Sequence, residues 1–380
     1  MPMTCGLLGE KLGHSRSPEI HRRLGSYAYR LYEKHPEEVE AFLRHGDYDV
    51  LNVTIPYKRT AFALCDEVSP IARKLGNVNV VIKRLDGRLI GDNTDAGGFR
   101  LLVAAVDFNP TGRKCVVLGT GGAATTAGAV LREMNAGQVV FVSRTGEDNY
   151  GNLDRHADAA LVVNATPVGM FPAVEAQPVS LTAFPRVEAV IDLIYNPSPT
   201  RLLAEAMRRG IRQVGGLPML EEQARLASVH MNANLYLYGP PGAGKTTFGR
   251  QLAARKEMPF VDLDAEIERV EGRSIREIFA TEGEAAFRAI ERRELLRTSV
   301  RHGQVVALGG GALLDAASRQ VAESTGRVIL LECDEAELVR RTARSEARPL
   351  LAGDAADRLH RLLEARRAHY ASFGERLTPA

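Results

Sequence analysis

Apolar and polar positions along the chain form two successive series of short, nearly continuous apolar runs separated by amphipathic stretches, the pattern of α/β folds with buried parallel strands. In the first series, CGLL reads as a strand, followed by a glycine-bounded loop and a helix with Ser17 as N-cap and Pro18 at its first position. Val50 to Ile55 reads as a strand ended by Pro56, which delivers Lys58 at the start of the next helix. LGNVNVVIKRLDGRLIGDNTDAGGF predicts two strands joined by the Asp86-Gly87 turn, with Asn79 and Asp95 each closing one of them and a polar loop before Gly97-Gly98. From Lys114 the runs CVVL, QVVFV, ALVVN and AVIDLIY predict one continuous sheet whose strands end in polar loops, where ligands gather in open α/β sheets. Pro218 begins a helix that carries Gln223. The second series opens at Leu235 with LYLY and continues with Phe260 to Leu263, VVAL ahead of Gly309 to Gly311, and RVILLEC, before a basic helix, LHRLLEARRAHYASF.

Two strand–helix junctions carry phosphate chemistry. GPPGAGKTT is G-x-x-x-x-G-K-T: Gly239, Gly242 and Gly244, with Ala243 between them, turn backbone N–H groups toward phosphates. There Lys245 would supply charge at the β/γ-phosphates and the Thr246 hydroxyl would ligate Mg²⁺, with Thr247 also expected to contact ATP. LGTGGAA is a dinucleotide fingerprint in its G-x-G-G-A form, with Gly119, Gly121 and Gly122 seating a pyrophosphate on the helix N-terminus. The next strand ends in Ser143-Arg144-Thr145, where an NAD enzyme would place an acid, so a 2′-phosphate and NADP are expected. Asp262 and Asp264, two apart on a strand, share a face and suit Mg²⁺ and a phosphoryl acceptor hydroxyl; a helix capped at Asp264 is compatible with that reading. Ser15 and Ser17 read equally well as loop and cap residues or as holders of a small carboxylate. Lys58 taken alone is a solvated charge, and the basic face bearing Arg366 is either solvent surface or an anion site.

Composition narrows the class. With 380 residues, 45% hydrophobic and 25% charged, two or three globular domains are expected. The net charge of +2, from 49 basic and 47 acidic residues spread along the chain, shows no nucleic-acid or membrane footprint, so small molecules are the expected partners and the oligomeric state stays open. Cys5, Cys65, Cys115 and Cys333 form no C-x-x-C pair, which argues against a disulfide framework or zinc site. The N-terminus lacks a signal-peptide pattern and no apolar run approaches the ~18 residues of a membrane helix, so a cytoplasmic protein is expected.

The motifs GHSRSP, NVTIPYK, VNV, GDNTDAGGF, LGTGGAA, SRT, NATPVGM, DLIYNPSPT and GGLPMLEEQA, in this order, resemble shikimate dehydrogenase from about Thr4 to Val229. The resemblance implies that Ser15 and Ser17 hold the substrate carboxylate, that Thr54, Asn79, Asp95, Tyr195 and Gln223 contact ring hydroxyls, and that Lys58 is the acid/base beside Asp95. It assigns Gly119, Thr120, Gly121, Gly122, Ala123, Ser143, Arg144, Thr145, Thr166, Leu193 and Gly216 to NADP. The spans from His21 to Asn52 and from Arg144 to Asn164 are shorter than the family carries, the second where a helix and strand of the cofactor domain would lie.

From about Asn234 to Phe373 the motifs GPPGAGKTT, VDLDAEIE, IFATEGEAAFR, LGGGALL, RPLL and EARRAHY resemble shikimate kinase. This implies ATP on the P-loop and Arg348, Mg²⁺ on Thr246 and on water held by Asp262, the acceptor hydroxyl on Asp264, and shikimate on Arg288, Gly310 and Arg366. The kinase half is expected to be C-terminally shortened, its sheet short of an edge strand. The expected architecture is an α/β substrate domain (1–97, completed by 217–231), a Rossmann NADP domain (98–216) and a P-loop kinase domain with a parallel sheet (233–380). The resemblances imply a bifunctional shikimate-pathway enzyme. The alternatives are a fusion with only the dehydrogenase working, or a metabolite-sensing regulator, which should have lost Lys58, Asp95, Lys245 and Asp264.

Overall fold

The computed structural model describes residues 3–13, 15–25, 27–343 and 355–379, folded around three sheets. The first series of elements comprises β1 (Thr4–Gly9), α1 (Ser17–Leu24), β2 (Ala28–Glu33), α2 (Val39–His45), β3 (Val50–Val53), α3 (Lys58–Leu64), β4 (Glu67–Val68), α4 (Pro70–Leu75), β5 (Val80–Lys83), β6 (Leu89–Asp92) and α5 (Asp95–Ala105). Its strands form a mixed sheet in the order β2-β1-β3-β5-β6-β4. Ser17 opens α1 rather than capping it: the cap position is Arg16, and the Ser15 hydroxyl accepts from the Ser17 N–H at 3.2 Å. Asn79 and Asp95 do not close the strands of the hairpin. Asn79 precedes β5 and Asp95 starts α5; because β5 and β6 run antiparallel with Val80 opposite Asp92, both come to the same end of the sheet.

The second series is β7 (Lys114–Leu118), α6 (Gly122–Glu133), β8 (Gln138–Val142), β9 (Leu161–Asn164), β10 (Ala189–Asp192), α7 (Arg201–Arg208), β11 (Arg212–Val214) and α8 (Leu217–Met231). These strands are all parallel in the order β11-β10-β9-β7-β8, a doubly wound sheet whose strand order reverses beside β7. The short span after Arg144 forms turns and a single 3₁₀ turn, Leu153–His156, so β8 is the sheet edge. Helices α5 and α8 pack together and join this sheet to the first one, with Phe99, Leu102 and Met219 sharing a core with Val117 and Ala127.

The third series is β12 (Asn234–Tyr238), α9 (Lys245–Lys256), β13 (Phe260–Asp262), α10 (Leu263–Glu271), α11 (Ile275–Ser299, broken at Gly283), β14 (Val305–Ala307), α12 (Ala316–Thr325), β15 (Gly326–Leu331), α13 (Glu335–Ala343), α14 (Ala355–Ala371) and β16 (Glu375–Leu377). Its parallel sheet runs β13-β14-β12-β15-β16. The expected loss of an edge strand is therefore corrected: residues 375–377 pair with Ile329, Leu330 and Leu331, because the chain turns straight out of α14 into the sheet. Asp264 is likewise not on a strand. The strand stops at Asp262, which caps α10 by accepting from Ala265 N–H at 3.4 Å, and Asp264 lies in the first helical turn. Capping by Ser274 with Glu277 at α11 and by Asp315 at α12 shows why these helices start where they do.

Candidate functional site

The first site forms where α3, α5 and α8 converge. Lys58, the first residue of α3, donates from Nζ to Asp95 Oδ2 at 2.5 Å, and Asp95 is only 6% exposed at the start of α5. The solvated-charge reading of Lys58 is thereby set aside, since its ammonium is paired in a cleft. Beside it, Asn79 Nδ2 donates to Thr94 Oγ1 at 3.0 Å and to Gln223 Oε1 at 3.2 Å, while its Oδ1 accepts from the Thr94 N–H at 2.7 Å. Thr54 follows β3 and its N–H donates to the Leu8 carbonyl at 2.9 Å. Tyr195 follows β10 and is half-buried, its hydroxyl pushed up by burial and drawn back by the Arg16 charge.

Asn52 belongs to the same wall and was not singled out from the sequence. It is 3% exposed, two residues before Thr54, and its Nδ2 is buried without a partner among the described residues, whereas its Oδ1 accepts from Tyr29 Oη at 2.8 Å. The alternation of β3 was the available signal, because residues two apart share a strand face. Behind Asn52, His21 stacks on Tyr29 at 4.0 Å and its Nδ1 meets Tyr27 Oη at 2.7 Å. Burial disfavours the imidazolium, lowering His21 from its ordinary 6.5 to about 4, with the neighbouring Asn52 amide opposing the shift. The unfolded chain takes up this proton at higher pH than the folded one, so folded stability is present above about pH 6.5 and is lost as pH falls toward 4. We expect a loss of about 2–3 kcal/mol over that window, flattened in His21→Gln, by urea unfolding at a series of pH values.

The dinucleotide turn faces this cleft. Gly119 has φ 108° and its N–H donates to the Val142 carbonyl at 2.8 Å, while Gly121 opens α6 with no side-chain cap. A Cβ on Gly121 would meet nothing within 4 Å, and one on Gly122 would meet only Lys58 Cδ, at 3.9 Å. That open, uncapped helix start fits a pyrophosphate next to the Lys58 side chain. Thr120 and Ala123 flank those glycines, and Thr166, after β9, is held by Asn164 Oδ1, which accepts from its hydroxyl at 2.7 Å. Leu193 and Gly216 adjoin: a Cβ on Gly216 would lie 2.1 Å from the Leu193 carbonyl oxygen. At the end of β8, Arg144 and Thr145 are exposed and Ser143 half-buried, so an accessible cation borders the cleft.

The second site is a cavity of about 730 Å³ at the carboxyl ends of β12, β13 and β14. Its phosphate end is the loop before α9, where Gly239, Gly242 and Gly244 adopt φ 139°, 89° and 84°, conformations that favour glycine. Lys245 Nζ donates to the Gly239 and Pro240 carbonyls at 2.8 and 2.9 Å, and the helix start lacks a side-chain cap, which fits a polyphosphate. Ala243 is buried under the loop, Thr247 lines the cavity, and Thr246 Oγ1 donates to Asp262 Oδ2 at 2.7 Å, a hydroxyl and a carboxylate placed together as Mg²⁺ requires.

The same cavity is lined by Asp264, Arg288, Gly310 and Arg366, with Gly310 beside the phosphate loop, where a Cβ would lie 3.2 Å from Pro241. Arg288 Nη1 donates to Glu291 Oε2 at 2.6 Å, and Arg366 Nη1 and Tyr370 Oη both donate to the Gly310 carbonyl, at 2.8 and 3.0 Å. Glu291, the last residue of F-R-x-x-E, also escaped the sequence reading. It is 3% exposed, burial pushes its carboxyl up, and Arg288 pulls it back. Two of the three glycines leave room for this pair: a Cβ on Gly309 would come 2.6 Å from Glu291 Oε1, and one on Gly311 2.7 Å from the Arg288 guanidinium. Arg341 and Pro379 line the cavity without having been predicted, and Arg348 lies outside the described residues. No helix among the described residues is long and apolar enough to cross a membrane.

Comparison with known proteins divides the chain in the same way. The family model for the shikimate dehydrogenase substrate binding domain matches residues 7–81, and that for shikimate kinase matches residues 241–378. The shikimate dehydrogenase (NADP(+)) of Halothermothrix orenii is 35% identical over 258 residues, covering 58% of this chain and 88% of the relative. That of Methanopyrus kandleri is 38% identical over 256 residues, covering 58% and 87%. Among solved structures, shikimate 5-dehydrogenase from Thermus thermophilus in complex with NADP(H) and shikimate superposes with TM-score 0.54 at 33% identity, over 59% of this chain and 91% of that one. A chorismate mutase/shikimate 5-dehydrogenase fusion protein from Clostridium acetobutylicum does so with TM-score 0.56 at 34% identity, over 60% and 90%.

Proposed function

Because the chain belongs to the shikimate dehydrogenase family and carries a shikimate kinase domain behind that half, we propose that one polypeptide catalyses two consecutive steps. It reduces 3-dehydroshikimate to shikimate with NADPH, then phosphorylates shikimate with ATP and Mg²⁺ to shikimate 3-phosphate. The observation that carries the reading is the Lys58–Asp95 pair set against an open dinucleotide turn, in the same chain as a P-loop cavity lined by carboxylates and arginines. The division we propose is a substrate domain of 1–97 with 217–231, a cofactor domain of 98–216, and a kinase of 233–380. We place the chemistry in the cytoplasm, with small molecules as its partners.

In the dehydrogenase, Ser15 and Ser17 hold the substrate carboxylate, and Thr54, Asn79, Asp95, Tyr195 and Gln223 take the ring hydroxyls. The Nδ2 of Asn52, without a partner among the described residues, supplies one donor more. NADPH, when bound, supplies the hydride. Gly119, Thr120, Gly121, Gly122 and Ala123 hold its pyrophosphate, Ser143, Arg144 and Thr145 its 2′-phosphate, and Thr166, Leu193 and Gly216 line the rest of its path. Lys58 gives a proton to the alkoxide oxygen as the ketone is reduced, and Asp95 keeps the ammonium in place. Oxidation of shikimate runs the same transfer in reverse, from the ring hydroxyl to the Lys58 nitrogen, so removal of this side chain should slow both directions.

In the kinase, Lys245 with the backbone of Gly239, Gly242, Ala243, Gly244 and Thr247 neutralises and positions phosphate oxygens. Thr246 and Asp262 hold Mg²⁺, Asp264 orients the acceptor hydroxyl, and Arg288, Gly310 and Arg366 hold shikimate, with Glu291 fixing the Arg288 fork. Arg348 is assigned to ATP by resemblance. The test is a coupled assay with 3-dehydroshikimate, NADPH, ATP and Mg²⁺, in which shikimate 3-phosphate should appear. Accumulation of shikimate alone would mean that only the dehydrogenase works.

A further inference from the structure

The two halves meet on a surface that neither proposed reaction uses. On the dehydrogenase side it consists of residues 84–88, the turn between β5 and β6; on the kinase side, of the segment that follows α14. The Leu85 N–H donates to Glu375 Oε1 at 3.0 Å, and the guanidinium groups of Arg84 and Arg88 reach the Gly374 carbonyl at 3.4 and 3.2 Å. Leu85 packs against the kinase core of Leu235, Leu252 and Ile329. Glu375 is 4% exposed and is also held by Arg327, whose Nη2 donates to Oε1 at 2.6 Å. A second contact stands alongside: Lys256, the last residue of α9, donates to Asp49 Oδ1 at 2.6 Å, and Met258 packs into the cluster of Met3, Cys5 and Val50. A buried carboxylate loses its hydration and depends on the donors around it, and one of those serving Glu375 is a backbone N–H of the other half.

That contact bears on the kinase site. β16 is a three-residue edge strand paired with β15 alone, the kind of element that opens readily unless covered. It is tied back to the end of α14 by Arg376, whose Nε donates to the Phe373 carbonyl at 3.1 Å, and Phe373 lies under the Arg319 guanidinium, 4.3 Å from its ring centre. α14 in turn carries Arg366 and Tyr370, both bonded to the Gly310 carbonyl.

We propose that the β5–β6 turn of the dehydrogenase half is a structural part of the kinase: docked on Gly374 and Glu375, it holds β16 and the end of α14, and thereby sets Arg366 and Tyr370 over Gly310. The inference rests on the reading of Arg366 and Gly310 as shikimate contacts. The test is the full chain carrying Arg84→Ala and Arg88→Ala, neither residue belonging to a proposed site. The kinase KM for shikimate should rise about fivefold with a smaller change in kcat, the loss of roughly one hydrogen bond's worth of positioning. Both dehydrogenase constants should hold, and amide exchange in residues 372–379, followed by mass spectrometry, should accelerate. Unchanged exchange, or faster exchange with an unchanged KM, overturns the proposal, as does an equal loss of both activities, which would report general unfolding. Should the wild-type chain fail to phosphorylate shikimate, the functional reading fails, while exchange in 372–379 still reports whether the turn holds β16.

Discussion

Lys58→Met is expected to lower kcat for 3-dehydroshikimate reduction by about 10²- to 10⁴-fold, the range that a positioned proton donor contributes. Methionine keeps the length and apolar stem of the side chain but can neither donate to the alkoxide nor pair with Asp95. The change should fall on kcat more than on KM, because the wall of Asn79, Thr94 and Gln223 is held by its own hydrogen bonds and does not depend on Lys58. Phosphorylation of added shikimate by the same sample should be unaffected, which makes the kinase an internal measure of folding. Initial rates of NADPH oxidation check the expectation; a loss of less than about tenfold would remove Lys58 as the proton donor.

The second large effect is on the other half. Lys245→Ala should lower kinase turnover by about 10²- to 10³-fold, since phosphoryl transfer is mostly positioning and charge neutralisation, and this ammonium sits at the start of α9 within the phosphate loop. The KM for shikimate should move less, because Arg288 is held by Glu291 and Arg366 bonds the Gly310 carbonyl, hydrogen bonds that do not involve Lys245. Unchanged turnover would sink the assignment, and an unchanged dehydrogenase rate would exclude general unfolding as the cause of a loss.

Several parts of the two sites were legible before folding because they are local. A phosphate loop is made by consecutive residues, so Gly239 to Thr247 and Gly119 to Ala123 could be read from spacing together with the strand before and the helix after. Where the local reading went astray, neighbouring geometry decided. Asp262 and Asp264 do reach one cavity, but through a strand end and a helical turn, because Asp262 caps α10. Asn79 and Asp95 share an end of the first sheet because two strands run antiparallel, not because each residue closes one. Asn52 and Glu291 sat inside motifs already quoted, yet their importance depends on burial and on a missing or charged partner, which linear spacing does not reveal.

The sequence by itself determined the α/β class, the order of the three sheets, both glycine-rich strand–helix turns and the family resemblance of each half, since apolar periodicity, caps and glycine turns are set by residues a few positions apart. Only the tertiary structure decided what meets across long separations. Gln223 joins Asn79, Lys58 joins both Asp95 and the dinucleotide turn, and residues 375–377 complete the kinase sheet rather than leaving it an edge short. The docking of the β5–β6 turn on Gly374 and Glu375 is of the same kind. Arg84, Leu85 and Glu375 carry no motif, and their pairing exists because two packed cores bring a backbone N–H and a buried carboxylate to the same place.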